Sequence, residues 1–488
     1  MPVSQVPQQI MKRLTFLATL FLTAVASAAS PGAATLQAGA ATSNITPELG
    51  TSIIGGFVPF PSTHVHDELF ARCLVLDDGK AKLALVVCDL LGMHRSVSIE
   101  ARRLITDATG IPPSHVAISC THTHSAGSAL GDLRYVDEQP LNDYQRFVAR
   151  RIADGVRRAI HVMRPAEIAF GTAEAPEHVF NRRWFMREGT APVNPFGKVD
   201  KVKMNPPGGS KDLVEPAGPT DPTISFIALR EPGGRLISVF SAYSLHYVGG
   251  IGEGHISADY YGMFCEALKK MQAGSEKDPP FVAMMANATS GDVNNNNFVT
   301  PRPRKPAYEQ MRFVAEDVAR KVNDALAKVT WKDNAELDAR FRELEIARRK
   351  IDANLLAWAK STEANAEPAT KKANLSVIYA GRVQKLAEAA PMARVPLQVL
   401  RIGDICIGTS PCETFAEMGL DFKKRSPLAH SFMVELNHAY IGYLPTPRHF
   451  EFGGYETWPG TNSLEPQASV KMLDAVLDMA AELAPKSK

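Results

Sequence analysis

The chain has 488 residues, 45% of them hydrophobic and 22% charged. Those fractions belong to a folded protein and exclude wholesale disorder or a collagen-like architecture. With 54 Lys+Arg against 52 Asp+Glu and a formal net charge of +2, the chain lacks the basic bias of a nucleic-acid binder, and short runs such as Arg348-Arg349-Lys350 read as solvated helix faces.

In chain order, Met11-Lys12-Arg13, the apolar run Leu14 to Val25 and the small residues Ala26-Ser27-Ala28 have the zones of a secretory signal peptide, cleaved after Ala28. The apolar run is too short for a spanning helix. Residues 1–28 are therefore expected to be removed and the mature protein to be secreted or periplasmic. No later stretch has the length of a membrane span. Residues 38–488 are expected to form a single domain. From Ala38 to Ala166 strands and helices alternate, including strands at Leu83 to Cys88 and His115 to Ser119 and helices at Ser98 to Thr109 and Asn142 to Met163. This order predicts an α/β fold with a mixed β-sheet core flanked by helices.

Residues 184–223, rich in Pro, Gly and Lys, read as a long surface excursion. Strands are expected at Thr223 to Leu229, Leu236 to Tyr243, Phe281 to Met285, Gln398 to Ile407 and Phe432 to Leu436. Helices are expected at 305–329 and 338–389, the latter an antiparallel helical hairpin inserted around Pro368, and at Met472 to Leu483. No internal repeat is visible. The six cysteines, Cys73, Cys88, Cys120, Cys265, Cys406 and Cys412, are widely spaced and form no CxxC pair. That argues against a zinc ribbon or a thioredoxin-type motif. Cys73 and Cys88, in apolar runs, read as buried free thiols.

Five polar segments follow predicted strands. Thr121-His122-Thr123-His124-Ser125 follows the HVAIS strand and sets two histidines at i and i+2, on one face of an extended chain. His246 follows LISVFSAYSL. Asn287 to Asn297, with Ser290, Asp292 and Asn294, follows FVAMM. Glu413 follows ICIGTSPC, and Asn437 to Tyr443 follows FMVEL. The carboxyl edge of an α/β sheet is where sites are built, so these segments point to one metal site. Two histidines and a carboxylate are a common catalytic zinc set that leaves a position open for water. His255 and Asp259 read as substrate-binding or ligand-orienting residues, with a helix N-terminus as the plain alternative. Tyr440 reads as core.

The motifs together resemble the neutral/alkaline non-lysosomal ceramidase family, in its N-terminal catalytic domain. They are Asn44-Ile45-Thr46-Pro47, the segment His66 to Gly79, Thr121 to Ser125, Phe180-Asn181-Arg182-Arg183, His246, Gly291-Asp292-Val293, Pro411-Cys412-Glu413 and the pair Tyr440 and Tyr443. The resemblance implies one Zn2+ per chain held by His122, His246, Glu413 and Tyr443. It also implies His124 assisting catalysis beside the metal, Arg182 near the substrate, and hydrolysis of an N-acyl amide by a metal-activated water. Asn294 stands where the family has a serine, with Ser290 as a nearby substitute. The family's further β-sandwich domain is not expected, because the chain ends soon after Tyr443. The expected substrate is a small-molecule acyl amide or ester. A zinc esterase or lactonase on the same site is the near alternative, and a non-catalytic ligand-binding pseudoenzyme is the alternative of a different class.

Overall fold

Three consecutive stretches of chain each build a sheet on four strands in the same order, the first sheet gaining a fifth short edge strand at Arg164–Pro165. In the computed structural model, which describes residues 35–366 and 374–485, β1 (Gln37–Asn44), β2 (Phe70–Asp77) and β3 (Lys82–Cys88) form an antiparallel meander. Helix α1 (Arg95–Thr109) then leads to β4 (Val116–Cys120), which lies parallel to β3, and α2 (Asp143–His161) follows. The second unit repeats this. β5 (Glu167–Glu174), β6 (Thr223–Arg230) and β7 (Leu236–Tyr243) are antiparallel, and α3 (Asp259–Met271) crosses to the parallel β8 (Val282–Asn287), followed by α4 (Glu309–Leu326).

The third unit starts with β9 (Leu337–Ala347). A helical hairpin, α5 (Ala353–Ala364) and α6 (Leu375–Glu388), leads to β10 (Met392–Ile402) and β11 (Ile405–Thr409). Helix α7 (Ala416–Arg425) crosses to β12 (His430–Val434), parallel to β11, and α8 (Ala468–Leu483) closes the fold. The described residues make one compact unit. None of the described helices is long and apolar enough to cross a membrane.

Side-chain alternation explains the layering. On β3, Leu83, Leu85 and Val87 point to a core shared by all three sheets. It also takes Ile227, Phe240 and Met284 from the second sheet and Leu400, Ile407 and Phe432 from the third. The alternate residues face outward under helices. Val75 and Val86 pack against α1 and α2, Phe226 and Val239 against α3 and α4, and Val399 and Met433 against α7 and α8. Strands covered on both faces read as continuous apolar runs, which is why these were found in the sequence.

The expected α/β class with helix-flanked sheets holds, with four corrections. The core is three mixed sheets, and a repeat of topology exists where no sequence repeat is visible. Residues 338–347 form β9, although their Glu and Arg content predicted helix. Unbroken pairing with β10 along the whole strand outweighs local propensity. The helical hairpin therefore starts only at Ala353, and its turn at Pro368 lies outside the described residues, as does the expected signal peptide. The single strand at 398–407 is a hairpin, turned at Gly403 with φ +64°. The excursion at 184–223 carries a small sheet of Arg183–Met186, Val202–Met204 and Leu213–Pro216. All six cysteines are buried and unpaired, and burial raises the Cys73 thiol to about 12.

Gly39 on β1 sets how closely α2 lies on the first sheet. A Cβ there would stand 2.0 Å from the Ala159 carbonyl oxygen. Gly39→Ala should destabilise the protein by about 1–3 kcal/mol through forced separation of helix and sheet, read from the midpoint of urea denaturation.

Candidate active site

The carboxyl ends of the three parallel strand pairs meet, and the loops leaving them build the site. His122 follows β4, His246 follows β7, Ser290 and Asp292 follow β8, Glu413 follows β11, and Tyr440 and Tyr443 follow β12. Backbone bonds stitch the units together here. Cys120 N–H donates to the Leu436 carbonyl at 3.2 Å, His438 N–H to Ile118 at 2.8 Å, and Glu435 N–H to Asn287 at 3.0 Å.

His122 is buried at φ +71°, an unfavourable conformation for a non-glycine residue. It is held by its N–H on the Leu90 carbonyl and by Nδ1, 2.7 Å from the Leu91 carbonyl. That contact places the proton on Nδ1 and turns the Nε2 lone pair inward. Nε2 lies 3.2 Å from Glu413 Oε2, and His246 Nε2 lies 3.5 Å from the same oxygen. His246 Nε2 and Glu413 Oε2 are buried without a hydrogen-bond partner. Donor atoms held at about 2.0–2.1 Å by one tetrahedral ion stand roughly 3.4 Å from each other, so these separations fit a shared cation.

His124 Nε2 is also 3.2 Å from His122 Nε2, and the nitrogens of His122, His124 and His246 all lie within 4.8 Å of one another. His124 differs in lying flat on Tyr247, with ring centroids 3.7 Å apart, and its Nδ1 has no partner. Burial and then the neighbouring His122 push His124 well below the usual histidine range. Burial, His122 and Arg182 do the same to His246. Burial alone would raise the Glu413 carboxyl, but His122, Arg182 and Tyr440 outweigh it and hold the group at about 2.

Glu413 and Tyr443 are direct partners in a short parallel bridge, which brings Tyr443 into the cavity. The Arg182 guanidinium lies over the Tyr443 ring at 5.3 Å. It donates to Glu456 at 3.0 Å and to the Gly291 carbonyl at 2.8 Å. Arg183 pairs with the other oxygen of Glu456, and all three side chains are buried. The site opens into a cavity of about 370 Å³, whose lining includes His122, His124, Arg182, Glu413, Tyr440 and Tyr443.

The remaining sequence candidates lie behind or beside this centre. Ser290 Oγ donates to Glu435 at 2.8 Å and sits 3.4 Å from His246 Nδ1, so it orients that ring from behind. Asp292 accepts from the Ala416 N–H at the start of α7 and from the Asn181 amide. The negative group belongs there because a helix N-terminus presents free N–H groups. Asp259 is buried and accepts from the N–H groups of Val248, Gly249 and Tyr260, fixing the turn after His246. Asn294 is occupied with Asn205 Oδ1 at 2.7 Å and with its own loop, and it is Asn205 that lines the cavity. His255 joins His64 and Tyr308 in a separate cluster away from the cavity wall. Three groups went unrecognised in the sequence. Tyr440, read as core, donates to Glu413 Oε1 at 2.6 Å. Glu435 bonds Ser290 and the Thr414 N–H; a carboxylate ending the apolar run FMVEL was its signal. Glu456 gave no signal.

The sequence profile described as neutral/alkaline non-lysosomal ceramidase, N-terminal, matches residues 37–301, more than half of the chain. The chain belongs to the neutral/alkaline ceramidase family. That is a family of hydrolases. Among relatives, a neutral ceramidase of Mycobacterium tuberculosis is 21% identical over 455 residues, covering 80% of this chain and 68% of its own. The crystal structure of the neutral ceramidase of Pseudomonas aeruginosa superposes with a TM-score of 0.66 at 17% identity, over 92% of this chain and 74% of that one. A ceramidase complexed with C2 gives 0.66 at 18% identity, over 93% and 76%. These likenesses establish that this ceramidase-family chain shares their fold.

Glu456 is the sole carboxylate paired to either Arg182 or Arg183 among the described residues. Glu456→Ala would leave two buried guanidinium groups uncompensated and should cost about 3–5 kcal/mol, measured by guanidinium chloride unfolding.

Proposed function

We propose that this protein is a zinc-dependent hydrolase that cleaves the amide bond of an N-acyl compound. The observation that carries the reading is the pair of buried, partnerless atoms, His246 Nε2 and Glu413 Oε2, facing His122 Nε2 at the base of the cavity. Buried polar atoms without partners are rare unless an ion or ligand completes them. His122, His246, Glu413 and Tyr443 would hold the metal; the mixed nitrogen and oxygen donors suit zinc, and none of the six cysteines takes part. Zinc bound there supplies Lewis-acid activation of water and of an acyl carbonyl.

The chain's own residues do the rest. The Leu91 carbonyl and the Ser290 loop orient the two imidazoles, and Tyr440 orients the carboxylate, as supports around catalytic metals do. His124 lies beside them with Nε2 3.2 Å from His122 Nε2, the ring nitrogen placed to take a proton from the attacking water and to deliver it to the leaving amine. Arg182, held by Glu456, presents its remaining donors at Tyr443. Asn294, turned to Asn205, makes no direct contribution in this reading. The N-terminal charge, apolar and small-residue zones support export of the mature chain.

Elemental analysis should find about one zinc per mature chain, and His122→Ala should lose it. Absence of metal after zinc is supplied would sink the hydrolase reading. Tyr440→Phe should weaken zinc binding by about 10- to 100-fold, read by chelator competition. A panel of acyl amides and esters with one acyl chain then separates amidase from esterase. N-terminal sequencing of exported protein should begin at Ala29.

A further inference from the structure

Arg95, Arg134, Arg182, Arg348, Arg382 and Arg394 all line the cavity. Four have carboxylate partners. Arg95 pairs with Glu343, Arg182 with Glu456, and Arg348 and Arg394 with Asp137. Arg382 and Arg134 have no carboxylate within ion-pair distance among the described residues. Arg134 is exposed at the mouth, where Asp132 is an exposed acidic neighbour in the same loop.

Arg382 is the more informative. It projects from α6 of the inserted hairpin into an aromatic wall. Its guanidinium lies 5.3 Å from the Phe57 ring centroid and 5.1 Å from that of Tyr379. Its one hydrogen bond reaches Thr461 Oγ1 at 3.5 Å, the long limit of such a contact. The seat for it is built: Tyr379 is itself bonded to Thr461. Gly460 also has no side chain where a Cβ would stand 2.6 Å from Arg382 Cβ. A guanidinium held among aromatic rings, without a counter-ion and facing a cavity, has donors left over for an anion. Its planar fork can take a carboxylate through two parallel hydrogen bonds. The cavity volume, at the small end of ligand sites, suits a compact polar head group.

We propose that the substrates are acyl amides bearing a carboxylate, that is, N-acyl amino acids, with Arg382 binding the carboxylate and Arg134 adding positive charge at the mouth. This rests on the amide-hydrolase reading for its chemistry, while the anion site itself does not need turnover. The inserted hairpin then sets specificity, because it alone supplies Arg382.

The test is calorimetric binding of N-lauroylglycine, its neutral counterpart N-lauroylglycinamide, and lauric acid to the metal-free mature protein, so that no bound cation attracts the carboxylate. The expected result is at least tenfold tighter binding of N-lauroylglycine than of the amide. In Arg382→Gln that ratio should fall to about one, and Arg382→Lys should retain part of it. Thermal unfolding of the variants checks their fold, and the wild-type comparison stands without them. Equal binding of acid and amide by the wild type, or a ratio unchanged in folded Arg382→Gln, would overturn the proposal. So would lauric acid binding as tightly as N-lauroylglycine, since the site would then hold a fatty-acid carboxylate. Turnover of N-lauroylglycine and N-lauroylglycinamide by the zinc-loaded protein separates the two readings. Anion-selective binding without hydrolysis of any amide removes the hydrolase and leaves the anion site. Hydrolysis with no preference for the acid does the reverse.

Discussion

The buried carboxylate of Glu413 is the constraint on which the rest of the site depends. An ionised carboxyl in a protein interior is strongly disfavoured unless every oxygen is compensated. Tyr440 satisfies one oxygen. The other faces two imidazoles and has no hydrogen-bond partner of its own. That single group therefore requires residues from all three sheets in one place: His122 from the first, His246 from the second, and its own loop and Tyr443 from the third. The candidate centre for a cation and the junction of the fold are the same set of atoms.

The architecture explains how three separate stretches deliver those residues. In each unit the last two strands are parallel, so both release the chain at the same edge. Loops from two strands of each unit thus converge, and three units give a ring of such loops around one cavity. Parallel pairs need a crossover helix, which covers the outer face of each sheet, while the inner faces share one core. The hairpin α5–α6 is inserted between β9 and β10 of the third unit only. It breaks the repeat and adds Arg382 to the cavity wall, with Tyr379 packed against its guanidinium.

Much of the polar chemistry around the centre positions groups rather than meeting a ligand. Ser290 and Glu435 stand behind His246, Asp259 fixes the turn after it, and Asp292 joins the β8 loop to α7. Arg182 and Arg183 share Glu456, which ties the excursion after β5 to the segment beyond β12. Residues drawn from one polar turn, such as Ser290, Asp292 and Asn294, point in three directions. Their proximity in sequence says little about shared function.

The α/β class, most strands and the residues at the centre were legible in the sequence for a physical reason. Strands buried on both faces are continuous apolar runs, and a site at their carboxyl ends puts polar residues directly after them. His122, His246, Glu413 and Tyr443 were all found this way or through the family motifs. Local chemistry did not reveal β9, whose Glu and Arg favour helix until an eleven-residue partner strand is present. Nor did it reveal the threefold topology, which resides in hydrogen-bond pairing and leaves no sequence period. The contacts of Tyr440, Glu456, Asn294 and Arg382 were decided only by tertiary structure. Which way a side chain turns, and whether a buried charge has a partner, depends on residues far away in the chain.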